Sequence, residues 1–204
     1  MKTVIISAAD DASIVHAAEI LRRGGLVAFP TDTVYGLGAA YLDEMAVLSI
    51  YAAKSRPPEK AIPILLASIA QMDQVSLDAA AQARILAQHF WPGPLTIVVR
   101  KHPRVPRAVA ADTVGLRVPD HFVARNLIQQ TGPLAVTSAN LSGQESTVSA
   151  AQVLEQLDGR IDLILDGGPA AGGVPSTVVD RTAGQLVIVR PGPLTLEQLQ
   201  AALG

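Results

Sequence analysis

The chain has 204 residues, of which 49% are apolar and 3% aromatic, and its formal net charge is −2. A chain of this length and apolar content can bury a core of its own, and its lack of cysteine excludes disulfides, thiolate metal sites and cysteine nucleophiles. The scarcity of aromatic residues argues against stacking platforms for single-stranded nucleic acid, and the negative net charge argues against a general nucleic-acid binder.

Strand-like and helical patterns alternate along the chain. Apolar runs predict nine strands, at 3–7, 26–29, 62–66, 95–100, 114–118, 134–137, 162–165, 177–180 and 186–189. Amphipathic patterns predict six helices, at 11–23, 43–53, 78–90, 122–130, 149–157 and 196–203. Because strands outnumber helices near the C-terminus, we expect one α/β domain over residues 1–204 with an open mixed sheet flanked by helices. No apolar run is long enough for a membrane span and the N-terminus has no leader pattern, so we expect a cytoplasmic protein.

The first polar cluster follows the predicted strand at 26–29. The segment 25–38 reads GLVAFPTDTVYGLG, so the cluster Thr31-Asp32-Thr33 lies just beyond a strand end. Such positions are where α/β proteins build ligand sites, although a capped turn is the alternative interpretation. We interpret Gly36-Leu37-Gly38 as a second turn.

Cations concentrate between residues 54 and 125, where ten lysines and arginines accompany five acids. Several lie in loops rich in proline and glycine, as in KSRPPEK at 54–60, which favours an anion site over a solvated basic face. Arg117 stands alone within an apolar strand. A buried arginine needs an anionic partner, which could be a carboxylate of the protein or of a ligand.

Further polar clusters accompany later strands, whereas the common catalytic patterns are missing. The sequence has no Walker phosphate loop, no GxGxxG fingerprint, no histidine spacing for a metal and no evidence of a serine triad. The glycine-rich segment 167–173 is typical of a mobile loop over a site.

Seven motifs occur in an order that resembles the YrdC family of threonylcarbamoyl-AMP synthases, also called TsaC. They are PTDTVYGLG at 30–38, KSRP at 54–57, WPGPLT at 91–96, GLRVP at 115–119, TSANLSG at 137–143, PSTVVD at 175–180 and VRPG at 189–192. The resemblance runs from about residue 14 to 192, and because the chain ends soon after VRPG it is similar to the short, single-domain type. It implies an open, twisted mixed sheet around a large basic cavity.

The resemblance also implies a reaction, in which L-threonine, bicarbonate and ATP with Mg²⁺ give threonylcarbamoyl-AMP and pyrophosphate. Partner proteins would then transfer the threonylcarbamoyl group to an adenosine in tRNA, and weak RNA binding by this chain stays open. By the same resemblance, Lys54 and Arg56 would stabilise charge near the reacting phosphate. The other implied contacts are Thr33, Arg117, Ser138 and Ser176 for threonine and Lys60, Thr113, Asn140 and Arg190 for ATP.

The sequence departs from many relatives just after the basic motif. Leu65 stands where those relatives have a histidine that helps to hold threonine, and Lys60 stands where they have an asparagine. Two alternatives to the synthase are a double-stranded RNA-binding module that contacts phosphates and a paralogue with different carbamoyl chemistry.

Overall fold

The computed structural model describes residues 2–77, 81–180 and 182–204. Within them, ten strands are present: β1 Val4–Ser7, β2 Val27–Phe29, β3 Gly36–Ala40, β4 Ile64–Leu65, β5 Leu95–Arg100, β6 Thr113–Arg117, β7 Leu134–Ser138, β8 Leu163–Asp166, β9 Thr177–Asp180 and β10 Val187–Arg190. The α-helices are α1 Asp11–Arg22, α2 Glu44–Lys54, α3 Met72–Val75, α4 Ala81–Phe90, α5 Phe122–Thr131, α6 Ala150–Leu157 and α7 Leu196–Ala201, and a 3₁₀ turn spans Ile69–Gln71. None of these helices is long and apolar enough to cross a bilayer.

All ten strands join one sheet in the order β1-β8-β2-β3-β7-β4-β6-β5-β9-β10. The sheet contains parallel pairs, such as β5 with β9, and antiparallel pairs, such as β5 with β6, so it is mixed. The predicted fold class, a mixed sheet flanked by helices, is confirmed, and the predicted strands and helices match observed elements to within a few residues. The start of the helix predicted at 78–90 lies outside the described residues.

The interpretation of Gly36-Leu37-Gly38 as a turn was wrong. Gly36–Ala40 is a central strand that pairs antiparallel with both β2 and β7. Glycine is normally unfavourable inside a strand, but here side chains of neighbouring strands occupy the space above it. A Cβ at Gly36 would lie 2.7 Å from Val136 Cγ1, and one at Gly38 would lie 2.9 Å from Phe29 Cε1. The short helices between residues 69 and 75 were also missed.

The two faces of the sheet carry two separate hydrophobic clusters. On one face, alternate residues such as Ala28, Ala135 and Ile164 pack with α2, α4 and α6. On the other face, Phe29, Leu165 and their neighbours pack against α1 and α5. Because α1 and α5 cover only the β1 to β7 side of this second face, the remaining strands leave part of it open.

Candidate active site

The open part of the second face forms a cavity of about 630 Å³. Leu65 and Val136 belong both to the cluster beneath α1 and α5 and to the cavity wall, so the wall continues the same face of the sheet. Seven adjacent strands, from β3 to β10 in the sheet order, contribute residues to it. This volume lies within the range typical of small-molecule sites.

Strand alternation decides which side chains reach the cavity. On β5, Thr96 and Val98 line the cavity while Leu95, Ile97 and Val99 are buried in the core on the opposite face. On β6, Gly115 and Arg117 line the cavity while Val114 and Leu116 are in that core. Since successive side chains of a strand point to opposite faces, one strand can supply both core and site.

Arg117 is held in place by three protein groups. Its Nη2 donates to Asp32 Oδ1 at 2.5 Å, its Nη1 donates to Thr33 Oγ1 at 2.9 Å, and its Nε donates to the carbonyl of Gly93 at 2.9 Å. Burial lowers the pKa of Arg117, and the charge of Asp32 opposes that shift. The anionic partner that the sequence left open is therefore a carboxylate of the protein, and the guanidinium is fixed in orientation where it meets the cavity.

Lys54 and Arg56 leave the end of α2 in different directions. Ser55, between them, has a left-handed backbone with φ of 51°, a conformation that no other described non-glycine residue adopts. Arg56 then lines the cavity and donates through Nε and Nη2 to the carbonyls of Lys60 and Ala61, at 3.1 and 2.9 Å. Lys54 is 1% exposed and donates instead to the carbonyls of Ser138 and Asn140.

Arg190, at the end of the edge strand β10, is oriented by Ser176. Its Nη2 donates to the carbonyl and the hydroxyl of Ser176, at 2.9 and 3.1 Å. The Ser176 hydroxyl in turn shares a 2.8 Å hydrogen bond with Thr96 Oγ1. Burial lowers the pKa of Arg190, and the nearby Arg56 lowers it further, so two guanidinium groups repel each other across the cavity.

The structure brings together seven of the ten residues predicted for the site. Those that line the cavity are Thr33, Arg56, Lys60, Arg117, Ser138, Ser176 and Arg190. Lys54 and Asn140 are buried behind the wall, and Asn140 Oδ1 has no hydrogen-bond partner. Thr113 lies at the opposite end of β6 from Arg117 and lines a separate, smaller depression with Arg100 and Lys101.

Three residues that shape the site were given no role in it by the sequence, although Asp32 belongs to the first polar cluster. Asp32 anchors Arg117, Thr96 orients Ser176, and Tyr35 lines the cavity while donating to the carbonyl of Gly168 at 2.7 Å. Burial, with the charge of Asp166, raises the pKa of Tyr35 to about 12. Strand alternation on β5 could have identified Thr96. The loop 167–173 adjoins the site, because Gly173 N donates to the carbonyl of Thr33 at 2.8 Å; its mobility stays a prediction.

The wall of the cavity favours anions. It carries the four cations Arg56, Lys60, Arg117 and Arg190, and its described lining residues include no carboxylate. Fixed cations in a partly enclosed space interact strongly with phosphate and carboxylate groups. The described residues contain no group of three or more His, Asp or Glu side chains that could hold a metal ion.

The fold and this site define an α/β protein with an open cavity whose wall includes four lysine and arginine side chains. The model of the Sua5/YciO/YrdC family, described as "Telomere recombination", matches residues 19–192, and the chain belongs to this family. The family resemblance drawn from the seven motifs is thereby confirmed.

Named relatives and a solved structure agree with this membership. A threonylcarbamoyl-AMP synthase of Pyrococcus abyssi is 46% identical over 191 residues, which is 92% of this chain and 56% of that protein. One of Vibrio cholerae serotype O1 is 37% identical over 187 residues, 88% of this chain and 97% of that protein. The crystal structure of P. abyssi Sua5 complexed with L-threonine has a TM-score of 0.96 at 44% identity, covering 99% of this chain and 61% of that one. The chain thus spans little more than half of the P. abyssi protein.

Proposed function

We propose that this chain is a single-domain threonylcarbamoyl-AMP synthase that transfers the AMP group of ATP to a carbamate made from L-threonine and bicarbonate. The observation that carries the proposal is the convergence of Arg56, Lys60, Arg117 and Arg190 on one cavity lined by hydroxyl groups. The V. cholerae relative, which this chain covers almost completely, carries the same name, and a close structural neighbour binds L-threonine. The ten strands in one sheet support the single domain.

The proposed chemistry has two steps. The amine of threonine attacks bicarbonate, water leaves, and a carbamate forms. A carbamate oxygen then attacks the α-phosphorus of ATP, the bond from that phosphorus to the β-phosphate oxygen breaks, and pyrophosphate leaves. Both reactants of the second step are anionic, so fixed cations lower the barrier by stabilising the charge in the transition state. Holding the two reactants side by side supplies much of the remaining rate increase.

The residues on the wall divide between the two substrates. We assign Thr33, Arg117, Ser138 and Ser176 to threonine, because their hydroxyl and guanidinium groups suit its carboxylate and side-chain hydroxyl. We assign Arg56, Lys60 and Arg190 to the triphosphate. Mg²⁺ would enter bound to phosphate oxygens. Leu65 lines the cavity at 5% exposure and offers only an apolar contact to threonine.

The test is pyrophosphate release from ATP, Mg²⁺ and bicarbonate, with and without L-threonine, with mass spectrometry of the product. The proposal requires threonine-dependent release and the mass of threonylcarbamoyl-AMP. Release that ignores threonine would instead favour a paralogue of different specificity. Salt-sensitive binding of double-stranded RNA without ATP turnover would favour the RNA-binding alternative. We place the reaction in the cytoplasm, upstream of proteins that transfer the threonylcarbamoyl group to tRNA.

A further inference from the structure

The backbone turn after β7 makes an unusual set of hydrogen bonds. The consecutive carbonyls of Ser138, Ala139 and Asn140 all accept bonds from side chains: Lys54 donates to the first and third, and Thr147 Oγ1 donates to the second at 3.1 Å. Lys54 and Thr147 are each 1% exposed. The turn is therefore held from behind by buried side chains, whereas the Ser138 side chain lines the cavity in front.

The main chain of α2 adds a third attachment at the same place. The carbonyl of Lys54 accepts from Ser142 N at 2.9 Å, and Ala139 N donates to the carbonyl of Tyr35 at 2.8 Å. The end of α2 is thus joined to residues 138–142 through both the backbone and the side chain of one residue. Lys54 is not among the residues that line the cavity.

We propose that Lys54 is a positioning residue that clamps the Ser138–Asn140 turn from behind, rather than a ligand of the reacting phosphate. The left-handed conformation of Ser55 separates the two cations of the KSR motif, so that Arg56 alone of the pair faces the substrates. Two N–H groups of Lys54 Nζ donate to these carbonyls, and this fixes the direction of the turn. The side chains of Ser138 and Asn140 take their orientation from that turn.

The first test needs no enzymatic activity. Amide hydrogen exchange of the ligand-free protein is compared among the unmodified chain, Lys54→Met and the matched control Lys101→Met. Lys101 also donates to a carbonyl, that of Val105 at 2.7 Å, but lies outside the cavity. We expect the amides of Ala139 and Ser142 to exchange roughly tenfold faster in Lys54→Met and to be unchanged in Lys101→Met. Unchanged exchange in both variants overturns the clamp.

A second measurement uses the unmodified chain, in case Lys54→Met does not fold. Reductive methylation of lysines is followed by mass spectrometry with and without MgATP. Although its lowered pKa favours the reactive neutral amine, Lys54 is 1% exposed and out of the reagent's reach, so it should react at least about tenfold more slowly than Lys60 and be unaffected by MgATP. If MgATP slows the reaction of Lys54 as it slows that of Lys60, the phosphate-ligand role is right and the clamp is wrong. If MgATP protects neither lysine, the proposed function fails while the slow reaction of Lys54 still supports the clamp.

The kinetic consequence rests on the proposed function. Lys54→Met should lower kcat by about 100-fold and raise KM for L-threonine, because a displaced turn misplaces Ser138, which is assigned to threonine. Lys60→Met should instead raise KM for ATP. A merely structural role of Lys54 would reduce the active fraction and leave KM for L-threonine unchanged, and that result would overturn the proposal.

Discussion

The ion pair between Arg117 and Asp32 provides the sharpest test of how the site is held together. The two side chains are 6% and 16% exposed, and Arg117 Nη2 lies 2.5 Å from Asp32 Oδ1. Asp32→Asn removes the charge but keeps the size, so Arg117 becomes a buried cation without a counter-ion. Removing one partner of a buried pair typically costs 3–5 kcal/mol. Because Asp32 retains some contact with solvent, we expect a loss of about 3 kcal/mol in the free energy of unfolding.

The chain contains its own matched control. Arg84 and Asp73 also form an ion pair, but their side chains are 39% and 67% exposed. The same change there, Asp73→Asn, should cost no more than about 1 kcal/mol because solvent screens the charges. Urea denaturation followed by circular dichroism, with equal slopes for all variants, measures both changes. Equal losses in the two variants would refute the argument that burial makes the Arg117 pair important.

A double variant separates the lost pair from the stranded charge. In Asp32→Asn with Arg117→Met, no uncompensated cation remains, so the double variant should be more stable than Asp32→Asn alone. If the two losses simply add, the cost lies in packing around each residue and not in the charge.

Three further predictions concern the other parts of the site and the sheet. Arg56→Ala should lower kcat/KM by at least about 100-fold while changing the free energy of unfolding by less than about 1 kcal/mol. If the rise in activation free energy calculated from kcat/KM only equals the loss in free energy of unfolding, the assignment of Arg56 to the reacting phosphate is contradicted. Burial, aided by the charge of Arg56, lowers the pKa of Lys54 from 10.5 to about 7. Between these two pH values Lys54 is mostly neutral in the folded protein but protonated in the unfolded chain, so the unfolded chain binds one proton more. Stability should therefore rise between pH 7 and 9.5 with a slope of up to about 1.4 kcal/mol per pH unit in urea titrations; Lys54→Met should flatten it, and an equal slope in that variant would refute the shift. Gly36→Val should destabilise the protein by about 1–3 kcal/mol, because its Cβ would lie 2.7 Å from Val136 Cγ1, and a neutral effect would show that the two strands separate easily.

The fold could be predicted from hydrophobic periodicity, and its failures have a physical cause. Runs such as 95–100 are apolar and β-branched, so local propensity and burial agree there. In β3, Gly36 and Gly38 lower the local strand propensity. Glycine is needed at both positions because side chains of neighbouring strands occupy the space that a Cβ would fill. A pattern within one segment contains no information about Val136, which is about a hundred residues away along the chain.

The same limit explains which site residues were assigned well. Arg117 was identified because a charge inside an apolar strand is locally conspicuous, and its need for an anion was correct. The identity of that anion, Asp32, depends on a contact across 85 positions of sequence. Lys54 and Arg56 look equivalent in the sequence, since both are cations of one loop. Only the backbone at Ser55, which turns one inward and the other toward the cavity, distinguishes them.

The architecture also explains how one sheet can carry a packed core on one face and an open cavity on the other. The face of the sheet beneath α2, α4 and α6 is packed along its length, so the strands are stabilised from one side. The opposite face needs covering helices only where α1 and α5 lie, and the remaining strands can present polar residues at every second position. Thr96 on β5 and Arg117 on β6 occupy such positions, each flanked by core residues that fix its strand. A substitution on the cavity face should therefore alter substrate binding with little loss of stability, unless it breaks a buried pair such as that of Arg117 with Asp32 or, as at Gly36, places a side chain against a neighbouring strand.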